Sequence, residues 1–130
     1  MIFFLAIKDF LKNFTGLTLR DRFFQIVFST ALGINLVIWI LFYFTFYPLR
    51  TLGDLVPLHY NIYFGIDLVG KWYEIFTIPF VGFFFILIDF ILSCFFYLRE
   101  KIIGYFLGVT VLFSQILLAI AAIMIILINR

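Results

Sequence analysis

The sequence predicts an all-α integral membrane protein with three transmembrane helices, an N-terminal amphipathic interfacial helix and a structured outer loop. Two observations predict this fold class. Hydrophobic residues make up 66% of the 130 residues and charged residues 12%, whereas soluble proteins have about half and about a quarter. Three long segments carry almost no charge, and each is long enough to cross the ~30 Å hydrocarbon core as a helix. The nine basic residues are too few and too scattered for a nucleic-acid-binding surface.

Residues 1–16 form the predicted interfacial helix. Apolar residues recur there with the 3.6-residue period of a helix, at Phe3, Phe4, Ile7, Phe10, Leu11 and Phe14, and polar residues lie opposite, at Lys8, Asp9, Lys12 and Asn13. A helix of this length lies along the membrane, with phenylalanines at the acyl boundary and lysines toward anionic lipid. A cleaved signal peptide is the less favoured alternative, because no small-residue cleavage motif follows. Thr15-Gly16 is expected to end this helix.

The second predicted helix covers residues 18–47 and contains the first span, residues 23–47. Thr18-Leu19-Arg20-Asp21 resembles a capping box that would start it, and Pro48 would end it. The other two spans are residues 75–98, with Pro79 near the start, and residues 102–128. Only three residues separate these two spans, so we expect them to lie antiparallel as a helical hairpin.

The distribution of basic residues predicts the orientation of the chain. One side of the membrane receives six of them, Lys8, Lys12, Arg20, Arg22, Arg99 and Lys101, and the other receives three, Arg50, Lys71 and Arg130. Basic residues accumulate on the cytoplasmic side. The N-terminus is therefore expected inside the cell, and the loop at residues 48–74 and the C-terminus outside.

Three polar residues fall at similar depths in the spans and predict an intramembrane polar layer. They are Asn35, Asp89 and Gln115. An acid in a span is a functional hypothesis, in which Asp89 would titrate or bind a cation. In the favoured structural alternative, a neutral Asp89 holds helices together by hydrogen bonds to the two amides. Transport is less favoured because transporters usually have several intramembrane charges and broken helices.

Small residues in the third span predict close helix packing. Gly104 and Gly108 have the spacing that lets backbones approach. We expect this stripe to face Gly82, Ile86, Asp89 and Ser93 of the second span. A homodimer through Gly104 and Gly108 is the alternative.

The outer loop contains the only histidine of the chain. From residue 55 to 64 apolar and polar positions alternate, which predicts one short strand on the membrane surface, followed by turns at Gly65 and Gly70. His59 has no partner at metal-ligand spacing, and the serines and Cys94 lie in the spans, away from His59. We therefore expect no enzyme, no metal site and no cofactor.

The loop resembles a known family. Leu52-Gly53-Asp54-Leu55-Val56-Pro57-Leu58-His59-Tyr60-Asn61, then Gly65, Asp67 and Gly70-Lys71, then Pro79, are similar to the conserved loop and following helix of the bacterial membrane domain of unknown function 1648. This domain also occurs in the immunity family for the sporulation-delaying toxin. The resemblance covers roughly residues 35–98, and the chain departs from the pattern by one extra residue before Gly65 and by Ile66 in place of proline.

The resemblance implies a bacterial inner-membrane protein whose outward loop is held in a defined shape by Pro57, His59, Asn61 and Asp67. It carries over no catalytic role. Together with Tyr60 and Gly65, these residues form the candidate loop site. The favoured function is a binding module, anchored in the lipid bilayer, whose loop meets a peptide or membrane-protein partner. The alternatives are a structural or accessory subunit of a membrane complex and a proton or ion relay through Asp89.

Overall fold

The computed structural model describes residues 1–51, 53, 55–97 and 99–129, without the side chains of Ile2 and Thr18. The described residues form four α-helices, two short 3₁₀ helices and two β-strands. In chain order they are α1 (Ile2–Leu19), α2 (Arg22–Phe46), a 3₁₀ helix (Tyr47–Thr51), β1 (Val56–Asn61), β2 (Gly65–Gly70), a second 3₁₀ helix (Glu74–Phe76), α3 (Thr77–Phe96) and α4 (Lys101–Ile128). Leu52, Asp54, Leu98 and Arg130, which the sequence analysis used, lie outside the described residues.

Among the described residues, three helices are long and apolar enough to cross a membrane. With their 3₁₀ extensions they cover Arg22–Thr51, Glu74–Phe96 and Lys101–Ile128. Each of the three predicted spans is thus such a helix, with ends that differ from the prediction by a few residues. The chain folds as a helical, multi-pass membrane protein with a small β-hairpin between its first two spans.

The boundary between α1 and α2 differs from the prediction. Helix α1 continues through Thr15-Gly16 to Leu19, and the chain breaks at Arg20-Asp21 instead. Gly16 stays helical because its bare backbone lets a ring approach: a Cβ there would lie 3.2 Å from Cε1 of Tyr97. Asp21, not Thr18, caps α2, since its Oδ1 accepts from the amide of Phe23 at 3.0 Å.

Helix α1 docks on the bundle through residues of both predicted faces, because the rings of Phe10 and Phe14 also contact rings of α3. Asn13, predicted to lie with the lysines, is 3% exposed, and its Nδ2 donates to the carbonyl of Cys94 at 2.5 Å. Leu17, one turn further on, is 1% exposed. The apolar residues of α1 are mostly exposed, namely Phe3, Phe4, Ile7, Leu11 and Phe14. The helix therefore packs against the C-terminal half of α3 and the start of α2.

The three spans form a bundle in which α4 packs along both α2 and α3. Its buried side chains fall into two apolar clusters. The cluster near α1 contains Leu17, Phe24, Val27, Phe28, Ala31, Ile86, Cys94, Tyr97 and Val111. The cluster near the β-hairpin contains Ile38, Phe42, Phe46, Val56, Ile75, Ala122, Ile125 and Ile126. Asn35 and Gln115 lie between them along α2 and α4.

The glycines of α4 lie against α2, not against α3 as predicted. A Cβ at Gly104 would be 3.0 Å from Cζ of Phe24, and one at Gly108 would be 3.0 Å from Cε1 of Phe23. Phenylalanine rings of α2 thus occupy the space that the glycines leave. A homodimer through Gly104 and Gly108 would require α2 to move aside.

The outer loop folds into two antiparallel strands, where the sequence predicted one. Strand β1 pairs with β2 from Val56 opposite Gly70 to Asn61 opposite Gly65, with register irregularities around His59. Gly65 has a φ of +73°, a left-handed conformation that glycine adopts without strain. It therefore closes the turn and begins β2, and Gly70 ends β2 instead of making a separate turn.

Candidate functional site

The base of the β-hairpin is fixed to the bundle. Val56 is 2% exposed and belongs to the apolar cluster beside α4. Nδ2 of Asn129, which follows the last residue of α4, donates to the carbonyl of Pro57 at 3.1 Å and to that of Ile125 at 2.9 Å. Asn129 therefore ties β1 to the end of the third span. Sequence reasoning missed this contact because Asn129 is a lone polar residue beyond the apolar run.

The middle of the hairpin holds a cross-strand polar pair. Nδ1 of His59 lies 2.7 Å from Oδ1 of Asp67. The side chains are 60% and 36% exposed, so the pair contributes little to stability, about 0 to 1 kcal/mol. Its value is geometric, because it links the two strands where the pairing register is irregular. The sequence analysis chose both residues without identifying them as partners.

The turn of the hairpin is held by Asn61. Its Oδ1 accepts from the amide of Tyr63 at 2.8 Å, a local bond typical of turn-forming asparagine. With Gly65 in the left-handed conformation, this bond fixes the three turn residues 62–64. Asn61 and Gly65 thus act on the backbone of the turn.

The tip of the hairpin is apolar and projects outward. Ile62, Tyr63 and Phe64 are 84%, 87% and 83% exposed, and Tyr60 beside them is 44% exposed. We call these three turn residues, 62–64, the tip. The sequence analysis treated them as the end of one alternating strand, so it missed that all three are displayed together. The signal was available in a run of large apolar residues directly before a glycine.

The described part of the loop brings His59 and Asp67 together and no third His, Cys, Asp or Glu with them. In the described part of the chain, no three His, Cys, Asp or Glu residues are grouped closely enough to hold a metal ion. His59 and Asp67 face each other, Glu74 lies beyond β2, and Asp54 is outside the described residues. Ser93 and Cys94 are buried in the bundle, far along the chain from the hairpin.

The polar layer forms between two of its three predicted members. Nδ2 of Asn35 donates to Oε1 of Gln115 at 3.1 Å and to the carbonyl of Pro79 at 3.0 Å. Nε2 of Gln115 donates to the carbonyl of Gly82 at 2.9 Å. Asn35 and Gln115 are 3% and 0% exposed. One residue from each of α2 and α4 therefore bonds to the other and to the backbone of α3.

Asp89 does not join this layer. It lies seven residues beyond Gly82 on α3, about 10 Å along the helix axis at 1.5 Å per residue. The predicted depths assumed that all three spans end at the same level of the membrane, and this assumption misplaced Asp89 by about two helical turns. Asp89 is partly buried, and among the described residues it makes no hydrogen bond or ion pair.

A second polar cluster lies at the opposite end of the bundle from the hairpin. Oδ2 of Asp21 accepts from the hydroxyls of Tyr97 at 3.1 Å and Tyr105 at 3.3 Å. Asp21 thus links the start of α2 to the end of α3 and to the start of α4. Burial, the hydrogen bond to Asp21 and the charges of Asp21 and Tyr105 raise the pKa of Tyr97, which follows the last residue of α3. The sequence analysis missed the two tyrosines as partners.

Comparison of the chain with family models, with curated proteins and with solved structures finds no match in any of the three.

Proposed function

We propose that this chain is a bacterial inner-membrane protein whose β-hairpin recognises a peptide or another membrane protein on the outer side of the membrane. The observation that carries the proposal is the exposed tip, Ile62, Tyr63 and Phe64, on a hairpin whose base is buried. The bacterial and outward assignments are part of the proposal. They are supported by the resemblance in the loop and by the bias in basic residues.

The energetics of the tip favour a covering partner. Fully burying a large apolar side chain gains about 1.5–3 kcal/mol relative to leaving it in water. Three adjacent side chains of this kind, each more than four-fifths exposed, form a contiguous apolar patch. Such patches mark interaction sites. Aromatic residues such as Tyr63 and Phe64 are also enriched at the centres of protein interfaces.

The rest of the hairpin supplies rigidity. The bond from Asn129 to Pro57, the contact between His59 and Asp67 and the turn bond of Asn61 fix its base, middle and end. Ordering a flexible loop on binding costs free energy, whereas a loop that is already rigid does not incur this cost. The site residues of the loop therefore position the tip, while the tip itself makes contact.

The direct experiment places a photo-crosslinking amino acid at position 63 of the full chain in its native membrane. We expect a crosslink to a polypeptide. It should disappear when Ile62→Ser and Phe64→Ser are added, because the flanking apolar contacts are lost. A crosslink to lipid alone would contradict recognition of a partner and show that the tip dips into the bilayer.

A matched control uses Leu55→Ser and Val69→Ser, two apolar residues near the base of the hairpin that are 63% and 51% exposed. This pair also removes two exposed large apolar side chains but leaves the tip intact. The crosslink should persist in this variant. If both pairs abolish the crosslink equally, the tip has no special role.

The assumed orientation has its own test. In a Cys94→Ser background, a cysteine at position 63 should react with a membrane-impermeant maleimide in intact cells, and one at position 100 should not. Labelling at position 100 but not at position 63 would reverse the topology and place the tip in the cytoplasm.

A second candidate function is an accessory subunit of a larger membrane complex, and Asp89 favours it. A carboxyl group within a span normally pairs with another group or faces a water-filled cavity, whereas Asp89 has no such partner among the described residues. A donor from a neighbouring protein would complete it. Asp89→Asn should preserve the fold but weaken copurification of that neighbour from mild detergent, with the tip variants leaving it unchanged.

A proton or ion relay through Asp89 receives less support. Asn35 and Gln115, the nearest members of the predicted layer, do not titrate and are already bonded to each other. A relay would therefore need acceptors from another subunit. Proton flux into liposomes that depends on Asp89 in the purified chain would revive this function.

A further inference from the structure

We propose that a cleft between α1 and the α3–α4 turn is a binding site for the phosphodiester headgroup of an anionic phospholipid. The cleft has a volume of about 410 Å³, within the range of about 300–1,000 Å³ that is usual for small-molecule sites. We call it the basic cleft. Its lining comprises Lys12, Thr15, Gly16, Leu19, Arg20, Tyr97 and Lys101.

The charged side chains that line the basic cleft are all positive. Lys12, Arg20 and Lys101 line it, no acidic residue does, and within the described residues none of these three cations forms an ion pair. The carboxylate of the neighbouring Asp21 does not line the cleft; it accepts from the hydroxyls of Tyr97 and Tyr105 and offsets at most one of the three positive charges. Three cations around one cavity therefore leave a net positive charge that attracts a phosphate, and an arginine among them can bind two of its oxygens at once.

The wall of the cleft is built by close packing. Gly16 leaves room beside the ring of Tyr97, which is 8% exposed. Nζ of Lys101 lies 5.6 Å from the centroid of the same ring, a distance at which a cation is attracted to an aromatic face. Tyr97 thus holds the ammonium of Lys101 near the cavity, while its own hydroxyl is bonded to Asp21.

The position of the cleft matches the level of lipid headgroups. Lys101 is the first residue of α4, Arg20 lies two residues before the first residue of α2, and Tyr97 follows α3. All three spans therefore end at the cleft. Leu19, which lines it, is 75% exposed, and Leu11 and Phe14 of α1 are exposed as well. These apolar side chains can accompany the acyl chains of a lipid whose phosphate lies in the cleft.

The test measures lipid binding by native mass spectrometry of the full chain in detergent. Phosphatidylglycerol is the probe, phosphatidylcholine is the neutral comparison and inorganic phosphate is the free anion. We expect phosphatidylglycerol to bind the wild-type chain at least tenfold more tightly than phosphatidylcholine. Neutralising the cleft in Lys12→Gln/Arg20→Gln/Lys101→Gln should remove that preference, since each base near a membrane surface contributes to anion affinity.

The matched control is Lys8→Gln/Arg22→Gln/Arg99→Gln, which removes the same charge at the same end of the bundle but outside the basic cleft. It should retain at least a third of the wild-type affinity for phosphatidylglycerol. Equal losses in the two triple variants would overturn the site, because the attraction would then be diffuse.

Two further outcomes are decisive. Binding of inorganic phosphate without preference for phosphatidylglycerol would assign the cleft to a free anion and overturn the lipid assignment. Absence of any preference for phosphatidylglycerol in the wild-type chain would overturn the proposal as well. All substituted side chains of the cleft are exposed, so the circular dichroism of each variant should match that of the wild type. If a triple variant loses helicity, the single Arg20→Gln variant replaces it. We expect that variant to bind phosphatidylglycerol at least threefold more weakly than the wild type.

Discussion

Substituting Gly82 with alanine should disrupt the polar layer at the centre of the bundle. A Cβ at this position would lie 2.7 Å from Nδ2 of Asn35, 2.7 Å from Cδ1 of Leu118 and 3.2 Å from Oε1 of Gln115. Contacts this short force side chains apart. Both amides would have to move, although each is bonded to the other and to the backbone of α3.

The magnitude follows from the bonds at risk. Three buried hydrogen bonds join the layer, and an interhelical bond in a membrane protein contributes about 0.6 kcal/mol on average. Losing all three would lower the free energy of unfolding by about 2 kcal/mol. The steric cost adds to this figure, because Leu118 is also displaced.

The assay is reversible unfolding in mixed micelles, with Gly33→Ala as the matched control. Gly33 lies in α2, and a Cβ there would meet nothing within 4 Å. Alanine at that position should be neutral or stabilise the chain by up to about 1 kcal/mol, because glycine is unfavourable inside helices. If Gly82→Ala is as stable as Gly33→Ala, the packing argument for the polar layer is wrong.

Three further predictions concern the two ends of the bundle. Gly65→Ala should destabilise the hairpin by about 1–2 kcal/mol, because residue 65 has a left-handed φ. Amide exchange in β1 and β2 should become faster in this variant, and Gly65→Asn should have a smaller effect. Asn129→Ala should speed exchange in β1 by freeing Pro57 while leaving α2 and α3 protected; unchanged exchange would show that apolar packing alone fixes the base. The raised pKa of Tyr97 means that the folded state holds this proton more tightly, so its contribution is complete below pH ~10 and is lost at higher pH. Tyr97→Phe should therefore show a smaller alkaline loss of stability than the wild type, and identical pH profiles would contradict the assignment.

The spans could be predicted from the sequence because hydropathy depends only on composition along the chain. A run of apolar residues longer than the hydrocarbon core has few alternatives to a membrane helix. The contact between Asn35 and Gln115 could be predicted for the same reason, since the depth of each residue follows from its distance to the end of its helix. Asp89 failed this count because α3 ends two residues earlier than predicted and the spans are not level.

The packing of α1 could not be predicted from periodicity. Asn13 belongs to the polar face by residue type, yet it is buried because it satisfies a carbonyl of α3. Gly16 looked like a helix breaker, but a glycine also permits close approach, and here the ring of Tyr97 uses that space. Both outcomes depend on a tertiary neighbour about 80 residues away in sequence, which no local pattern contains.

The second strand was missed for a related reason. Ile66-Asp67-Leu68-Val69 is short, and β-strand preference depends strongly on the partner strand. Once β1 is fixed to α4 by Val56 and Asn129, its unpaired edge can form backbone hydrogen bonds with the next segment of the chain. The pair formed by His59 and Asp67 then follows from the register.

Helix α4 connects the two proposed binding regions, which determines how they must be tested. It begins at Lys101 in the basic cleft and ends beside Asn129 under the hairpin, with Gln115 in the polar layer between them. A substitution that shifts α4 would therefore change both regions at once and could not assign a function to either. Variants confined to exposed side chains, at the tip or in the cleft, leave the helix in place. If a cleft variant nevertheless alters the crosslink at position 63, the effect passes through the bundle, and Gly82→Ala on α3, which disturbs the contact of α4 with α2 and α3 in the polar layer, should weaken that effect.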